Sequence, residues 1–426
     1  MNLIIHNFAK IESAEITLNG ITLIAGANDT GKSTCGKALC TLLMALEQLE
    51  SSSKAVRRNK VREVIFSFAE EMYGARHFTF VDDERIDEYL VGKISAEKFA
   101  QLVLGNLLHS SSKRKSLNIN VFVKNLEEVR LLDEEEVRCS GLRRSFSAVF
   151  HDQYMPLFKG GVKGGSQRST EIILKYGDTQ LSSSLTKTSA KYVEEQKFTH
   201  KAWYLNNPSV IDDIGIGFSR HGRDWFEYTV LKALSRSLIE QKVNPVEGAF
   251  DDALLKRKLE IIDLQFKRMN DDEVVFSRVK GLQIKRNGLR EGLLLSNASM
   301  GIKSLALIRL LISNLVITTG DILVLDEPEI HLHPEWQMIY AELIVLMWKE
   351  LGVFIMLTTH SPDFIQAIRL YSKKHGVLNC VSAYLSVGTT SVKFEPLKNK
   401  DWDKLFDRFM PTVKMLERLA IEVEVG

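Results

Sequence analysis

The chain has 426 residues, 45% of them apolar and 26% charged, with a formal net charge of +2. That content suffices for a sizeable core and two or three subdomains, and the near-neutral balance excludes a chain-wide nucleic-acid footprint while leaving local basic patches open. Four cysteines, Cys35, Cys40, Cys139 and Cys380, show neither metal nor disulfide spacing and read as small, mostly buried side chains in a reducing compartment.

Three zones follow along the chain: 1–46, 47–272 and 273–426. The first alternates apolar and polar residues (Leu3, Ile5, Phe8; Ile16, Leu18), as strands do, and lacks the blocks of a signal peptide. It then runs ITLIAG into GANDTGKS, Gly26 to Ser33, and a helix from Cys35 to Leu46. GANDTGKS fits G-x-x-x-x-G-K-[ST] between a strand and a helix. In that arrangement the backbone around Gly26, Asn28, Asp29, Thr30, Gly31 and Thr34 cradles phosphates, Lys32 reaches the β- and γ-phosphates, and the Ser33 hydroxyl ligates Mg²⁺.

The middle zone is mostly amphipathic helix: Val56 to Met72, Glu97 to Leu108, Leu126 to Phe150, and a further helix within 241–272. Two strand-like pieces, EIILKYGD and KAWYLNN, are expected to return the chain to the nucleotide-binding core. No stretch is long enough for a coiled-coil arm.

The last zone alternates strand and helix patterns, which argues for an α/β core with a largely parallel sheet. Ser299 and Gly301 stand just ahead of a helical apolar pattern (Leu305, Ile308, Leu311, Ile312, Leu315). A helix start of this kind is an anion site, because free N–H groups and the dipole both point there. In DILVLDEPEIHLHP a buried strand ends in Asp326 and Glu327, whose side chains leave the chain in opposite directions. Asp326 is expected to hold the Mg²⁺ shell and Glu327 to act as general base toward water. His360 closes another buried strand, VFIMLTTHS, and is placed to donate to a γ-phosphate or fix the water. His331 and His333 share one short turn with no third ligand at metal spacing, and are expected to shape it. Leu305 to Leu325 and Tyr340 to Thr358 are interrupted by charges, so no membrane span and a cytoplasmic protein are expected. A hairpin, VSAYLSVGTTSVKFEPL, and a helix from Trp402 to Ile421 complete the reading.

This order of motifs resembles the ABC-type ATPase heads of the SMC and RecF class. It is most similar to the ATPase part of OLD-family proteins and the related ATPases of bacterial anti-phage defence, and LDEPEIHLHP and TTHSPDF are the segments most specific to that group. The resemblance covers Met1 to Leu46 and Glu273 to Leu385 well and the middle loosely. It implies an ABC-type P-loop ATPase head with a mostly parallel core sheet, an antiparallel β lobe and a large helical insertion, using ATP and Mg²⁺. It also implies that two heads clamp two ATP molecules. Ser299 and Gly301 of one subunit would then cap the γ-phosphate on the other's loop, with Lys303 adding positive charge. SNASMGIK departs from the fuller LSGGQ of transporters. No glutamine loop is visible; Asn206 or Asn207 takes its place, or the segment is a polar turn before Pro208.

OLD-family nucleases add a metal-dependent TOPRIM domain after this point, and the residues following His360 leave no room for one. Destructive activity is therefore expected on another protein. The compact middle resembles the AriA family of PARIS-type systems, with Septu-type ATPases as the near alternative. That resemblance implies an ATP-clamped homodimer or higher homo-oligomer that restrains a separate effector, a nuclease toxin, until a phage-encoded trigger protein is sensed. The rival expectation is a RecF-like DNA clamp in repair, with basic candidates at Lys54 to Arg62, Lys113 to Lys115 and Arg278 to Arg290.

Overall fold

The computed structural model describes residues 1–51, 53–73, 81–108, 119–151, 153–158, 162–163, 166–194, 197–214, 224–240, 249–269, 273–277, 281–286, 291–397 and 402. Three strands, β1 (Asn2–Phe8), β2 (Ile11–Thr17) and β3 (Ile21–Ala25), lead into helix α1 (Lys32–Ser51). Helices α2 (Ser53–Tyr73), α3 (Asp83–Leu90), α4 (Ala96–Leu108), α5 (Ile119–Leu131) and α6 (Glu134–Phe150) follow. A short ribbon of β4 (Val162–Lys163) and β5 (Ser166–Gln167) precedes β6 (Thr170–Tyr176), β7 (Thr179–Leu185), β8 (Ala190–Glu194) and β9 (Ala202–Leu205). Helices α7 (Trp225–Glu240) and α8 (Ala249–Met269) come next, then a small antiparallel sheet of β10 (Glu273–Ser277), β11 (Gly281–Lys285) and β12 (Leu293–Leu294). The chain continues through α9 (Met300–Ser313), β13 (Ile322–Asp326), α10 (Pro334–Leu351), β14 (Phe354–Thr359) and α11 (Pro362–Lys374) to the hairpin β15 (Val381–Val387) and β16 (Val392–Leu397).

The main sheet has the order β8-β7-β6-β1-β2-β16-β15-β3-β14-β13-β9. The run β15-β3-β14-β13-β9 is parallel throughout. Its central strands carry continuous apolar runs, ITLIA and ILVL, whose residues are all buried, as expected where helices cover both faces. β1, β2, β6 and β7 pair antiparallel. The fold is thus the expected P-loop α/β head, with the antiparallel lobe continuous with the parallel core through a parallel β2–β16 pairing. Register sets the strand ends level: Asp326 lies opposite Thr358, and Thr359 opposite Ala25. Loops leaving β3, β13 and β14 therefore open at one carboxyl edge, where open α/β sheets bind ligands.

Two compact units divide the chain. One comprises Met1–Leu43, Phe146–Lys187 and Val193–Gly426; the other comprises Met44–Ser145 and Thr188–Tyr192. The first is built on the sheet, with Leu323, Leu325, Ile355 and Leu357 packed among Leu311, Leu343, Ile344 and Ile365 of the helices. The second is helical, with Val61, Ile65, Phe99 and Leu126 at its centre, Phe68 stacked on Phe122 (centroids 4.1 Å apart) and Tyr89 stacked on Phe99 (4.6 Å). The helical unit is smaller than the zone 47–272, since everything after Phe146 except Thr188–Tyr192 falls in the sheet-based unit.

The helix expected from Leu126 to Phe150 is two helices. Asp133 ends the first and caps the second, accepting from the Glu136 N–H at 2.6 Å. Lys113 to Lys115, Arg278, Arg290 and the final helix after Trp402 lie outside the described residues. Among the described residues no helix is long and apolar enough to cross a membrane.

Candidate nucleotide site

The loop after β3 has the backbone its sequence requires. Gly26 (φ 155°), Asp29 (φ 62°) and Gly31 (φ 73°) all turn left-handed. A Cβ on Gly26 would meet Ser386 Oγ at 1.9 Å, so only glycine lets β15 close on the loop. Thr30 is buried; its hydroxyl donates to Ala27 O (2.8 Å) and lies 2.5 Å from Ser386 Oγ, which in turn reaches Ala25 O at 3.2 Å. Asn28 and Asp29 are exposed, and Asp29 pairs with Lys10. Lys32 opens α1 with Thr34 half-buried beside it. The Lys32 ammonium is buried and donates to Gly26 O (3.1 Å) and Ala27 O (2.7 Å). Burial lowers its pKa, and the carboxylates of Glu327 and Asp326 partly restore it.

The carboxylates sit across from this loop. Asp326 Oδ1 accepts from Ser33 Oγ (2.8 Å) and Thr358 Oγ1 (2.5 Å), and Oδ2 accepts from Tyr204 OH (2.6 Å). Ser33 and Asp326 thus present hard oxygen donors at one point, the chemistry Mg²⁺ takes. Glu327 leaves the strand with φ 51°, a left-handed turn that is rare for a non-glycine residue. Its N–H donates to Thr358 O at 3.1 Å and lies 3.2 Å from Thr358 Oγ1. The turn swings the Glu327 carboxylate onto His360 Nε2, with both side chains about three-quarters buried. Gly26, Ala27, Thr30 and His360 line a cavity of about 490 Å³, closed by Leu385, Gly388 and Thr389 of the β15–β16 hairpin.

Ser299 caps α9, is exposed, and makes no side-chain capping bond. Gly301 is buried, and a Cβ there would come within 2.7 Å of His331 O, so the turn holding His331 presses on the start of α9. Lys303 departs from expectation. It is buried and its ammonium sits 2.7 Å from Asp212, so its charge is neutralised within the chain. None of these three lines the cavity at the phosphate loop. Asn207 behaves as a turn residue: it accepts from Ser209 N (3.1 Å), donates to Glu227 (2.8 Å) and caps a 3₁₀ turn. Asn206 stays exposed beside it, lining a small pocket with Asp326 and Glu327.

Sequence reading missed Tyr204, Thr358 and Ser386, because each acts through a neighbouring strand. It also missed Glu329, a buried side chain whose Oε1 accepts from the Thr359 hydroxyl and from His360 N (3.3 Å). In the helical unit, Arg58 is paired with Asp83 and Asp87, Arg62 with Asp83, and Arg57 donates to Arg130 O at 3.2 Å.

Two family models match the chain. One, described as an AAA domain, matches residues 2–207; the other, described as an AAA ATPase domain, matches residues 227–365. The first stretch holds the phosphate loop and the second holds Ser299, Asp326, Glu327 and His360. The fold is that of a P-loop ATPase head built from two separated stretches, and both contribute to the candidate site. Among solved structures, the SMC head domain from Thermotoga maritima aligns at 13% identity over 93% of this chain and 98% of that one, with TM-score 0.39. An SMC head domain bound to the C-terminal domain of ScpA, from Pyrococcus furiosus, aligns at 11% identity over 96% and 98%, with TM-score 0.41. An SMC head bound to the C-winged helix domain of ScpA aligns at 12% identity over 95% and 98%, with TM-score 0.47. Comparison with curated proteins gave no match.

Proposed function

We propose that the chain hydrolyses ATP with Mg²⁺ and uses the bound nucleotide to hold copies of itself together. The observation that carries the hydrolysis is the Glu327–His360 pair, set by strand register beside Ser33 and Asp326. Ser33 and Asp326 would hold Mg²⁺, whose charge would offset that of the phosphates. Lys32 exchanges the carbonyls of Gly26 and Ala27 for phosphate oxygens. Glu327 takes the proton of the attacking water, and His360, through Nε2, holds that carboxylate in place.

The self-association reading rests on Ser299. It is an exposed helix start with no side-chain capping bond, and it does not line the cavity at the chain's own phosphate loop. Its anion site is therefore offered to the nucleotide on a second copy, with Gly301 giving the tight approach. Two ATP molecules, each bridging both copies, would supply the roughly 5.5 kcal/mol needed to move an open–closed equilibrium from 1:99 to 99:1. Such a clamp fits a sensor that restrains a separate effector, as in the defence ATPases the motifs resemble, with a nuclease toxin as effector and a phage protein as trigger. The DNA-clamp alternative gains little from Arg57 to Arg62, whose guanidinium groups are already engaged within the chain.

Native mass spectrometry of the protein expressed with its neighbouring genes, with and without ATP, tests this. A discrete ATP-dependent homo-oligomer carrying a second protein is expected. A monomer indifferent to ATP overturns the clamp, and a complex that forms only with added DNA points to the alternative.

A further inference from the structure

Three acids lie within four residues at the end of β13, and the geometry gives them three different environments. Asp326 receives three hydroxyl donors and Glu327 receives His360. Glu329 is 4% exposed, and its Oε2 is buried with no hydrogen-bond partner among the described residues. Burial, first, and the nearby charge of Glu327 push its pKa up, against the lowering effect of the Thr359 and His360 hydrogen bonds.

Its other oxygen is fully used. Oε1 accepts from Thr359 Oγ1 and from the His360 N–H at 3.3 Å, and Thr359 Oγ1 itself accepts from the Ser361 N–H at 3.0 Å. Ser361 then caps α11 through the Phe364 N–H at 3.2 Å. The backbone on both sides of His360 is thus pinned to one buried side chain. β14 alone does not do this, because its pairing with β13 ends at Thr358 opposite Asp326 and its pairing with β3 ends at Thr359 opposite Ala25, one residue short of His360.

We propose that Glu329 is a positioning residue which, as a hydrogen-bond acceptor, fixes the backbone at His360 and Ser361 and so holds His360 against Glu327. The proposal rests on the reading of His360 and Glu327 as the hydrolytic pair. It sorts the three acids by role: a metal ligand, a base, and a backbone anchor.

The test compares Glu329→Gln, Glu329→Ala, Thr359→Val and His360→Ala in the full chain, measuring kcat, KM for ATP and, without nucleotide, the histidine ring NMR signals. Glutamine keeps the acceptor without the charge, so Glu329→Gln should stay within about twofold of wild type in kcat and leave the His360 signal in place. Glu329→Ala should lower kcat about tenfold or more with KM little changed, since misplacing a reacting group costs rate rather than binding, and should shift the His360 signal. Thr359→Val removes the same anchor from the other side and serves if Glu329→Ala does not fold. Glu329→Gln as slow as Glu329→Ala overturns the acceptor role. Wild-type rate and an unmoved His360 signal in both anchor variants, with His360→Ala slow, overturn the positioning role while leaving the hydrolytic pair intact. Full activity of His360→Ala removes the pair itself, and the proposal with it.

Discussion

Asp326 receives three hydroxyl groups, from Ser33, Thr358 and Tyr204, and only one of them is announced by the phosphate-loop motif. Tyr204 orients the carboxylate from the neighbouring strand β9, as outer-shell partners of metal ligands do. Tyr204→Phe should raise the Mg²⁺ concentration for half-maximal ATPase activity by about tenfold, measured by Mg²⁺ titration at saturating ATP; an unchanged requirement would remove that role. Gly301 poses a second question at this scale, because His331 O leaves no space for a Cβ. Gly301→Ala should therefore lower stability by about 1–3 kcal/mol without any nucleotide, and a thermal melt unchanged from wild type would show the helix start yields freely. That GANDTGKS, Asp326, Glu327 and His360 stand at loop and strand ends was legible because local spacing marks those positions, and the structure brings them to one edge. Tyr204, Ser386 and Glu329 were not, since their partners are set by strand order and by packing across the fold. Lys303 shows the converse: a cation beside an anion-binding helix start reads as a ligand contact until Asp212 is placed next to it.

At the scale of elements, α8, α10 and α11 meet at Glu342. Its carboxylate is 3% exposed and receives Lys374 (2.8 Å), Arg268 (2.8 Å) and His375 (2.9 Å). Burial alone would raise its pKa, but the hydrogen bonds from Lys374, Arg268 and His375 outweigh burial and hold it at about 2. The folded carboxyl therefore releases its proton more readily than the unfolded one, which stabilises the fold above the ordinary glutamate range. That contribution is lost as pH falls from about 4.5 toward 2. Glu342→Gln should cost about 2 kcal/mol at neutral pH, less than a fully buried pair because Lys374 and Arg268 are more than half exposed. The deficit should shrink below pH 4, and a pH-independent deficit in denaturant melts would contradict the electrostatic account. Helix existence was legible from apolar periodicity in most of these elements. The break between α5 and α6 was carried by a shorter signal, Asp133 followed three residues later by Glu136, which a continuous apolar stripe from Leu126 to Phe146 obscures. Asp133→Ala should cost about 1 kcal/mol by losing that cap, read as a shift in the chemical denaturation midpoint.

At the scale of the whole molecule, sequence and structure agree where strands and helices alternate and diverge in the middle of the chain. The P-loop head was legible because a parallel sheet needs buried apolar strands with function at their carboxyl ends. The extent of the helical unit was legible in part: EIILKYGD and KAWYLNN read as strands returning to the core and do pair with β1 and β13, but no local pattern marks Phe146 as the point where the sheet-based unit resumes. What unites the molecule is that stretches separated by most of its length meet at one carboxyl edge of one sheet. The central claim is that this edge hydrolyses ATP through Glu327. It is tested most directly by phosphate release from ATP and Mg²⁺ by wild type and Glu327→Gln, with nucleotide binding measured on the same samples. The expected result is a rate lowered by about 10²–10⁴ with ATP still bound. Normal hydrolysis by Glu327→Gln would contradict it.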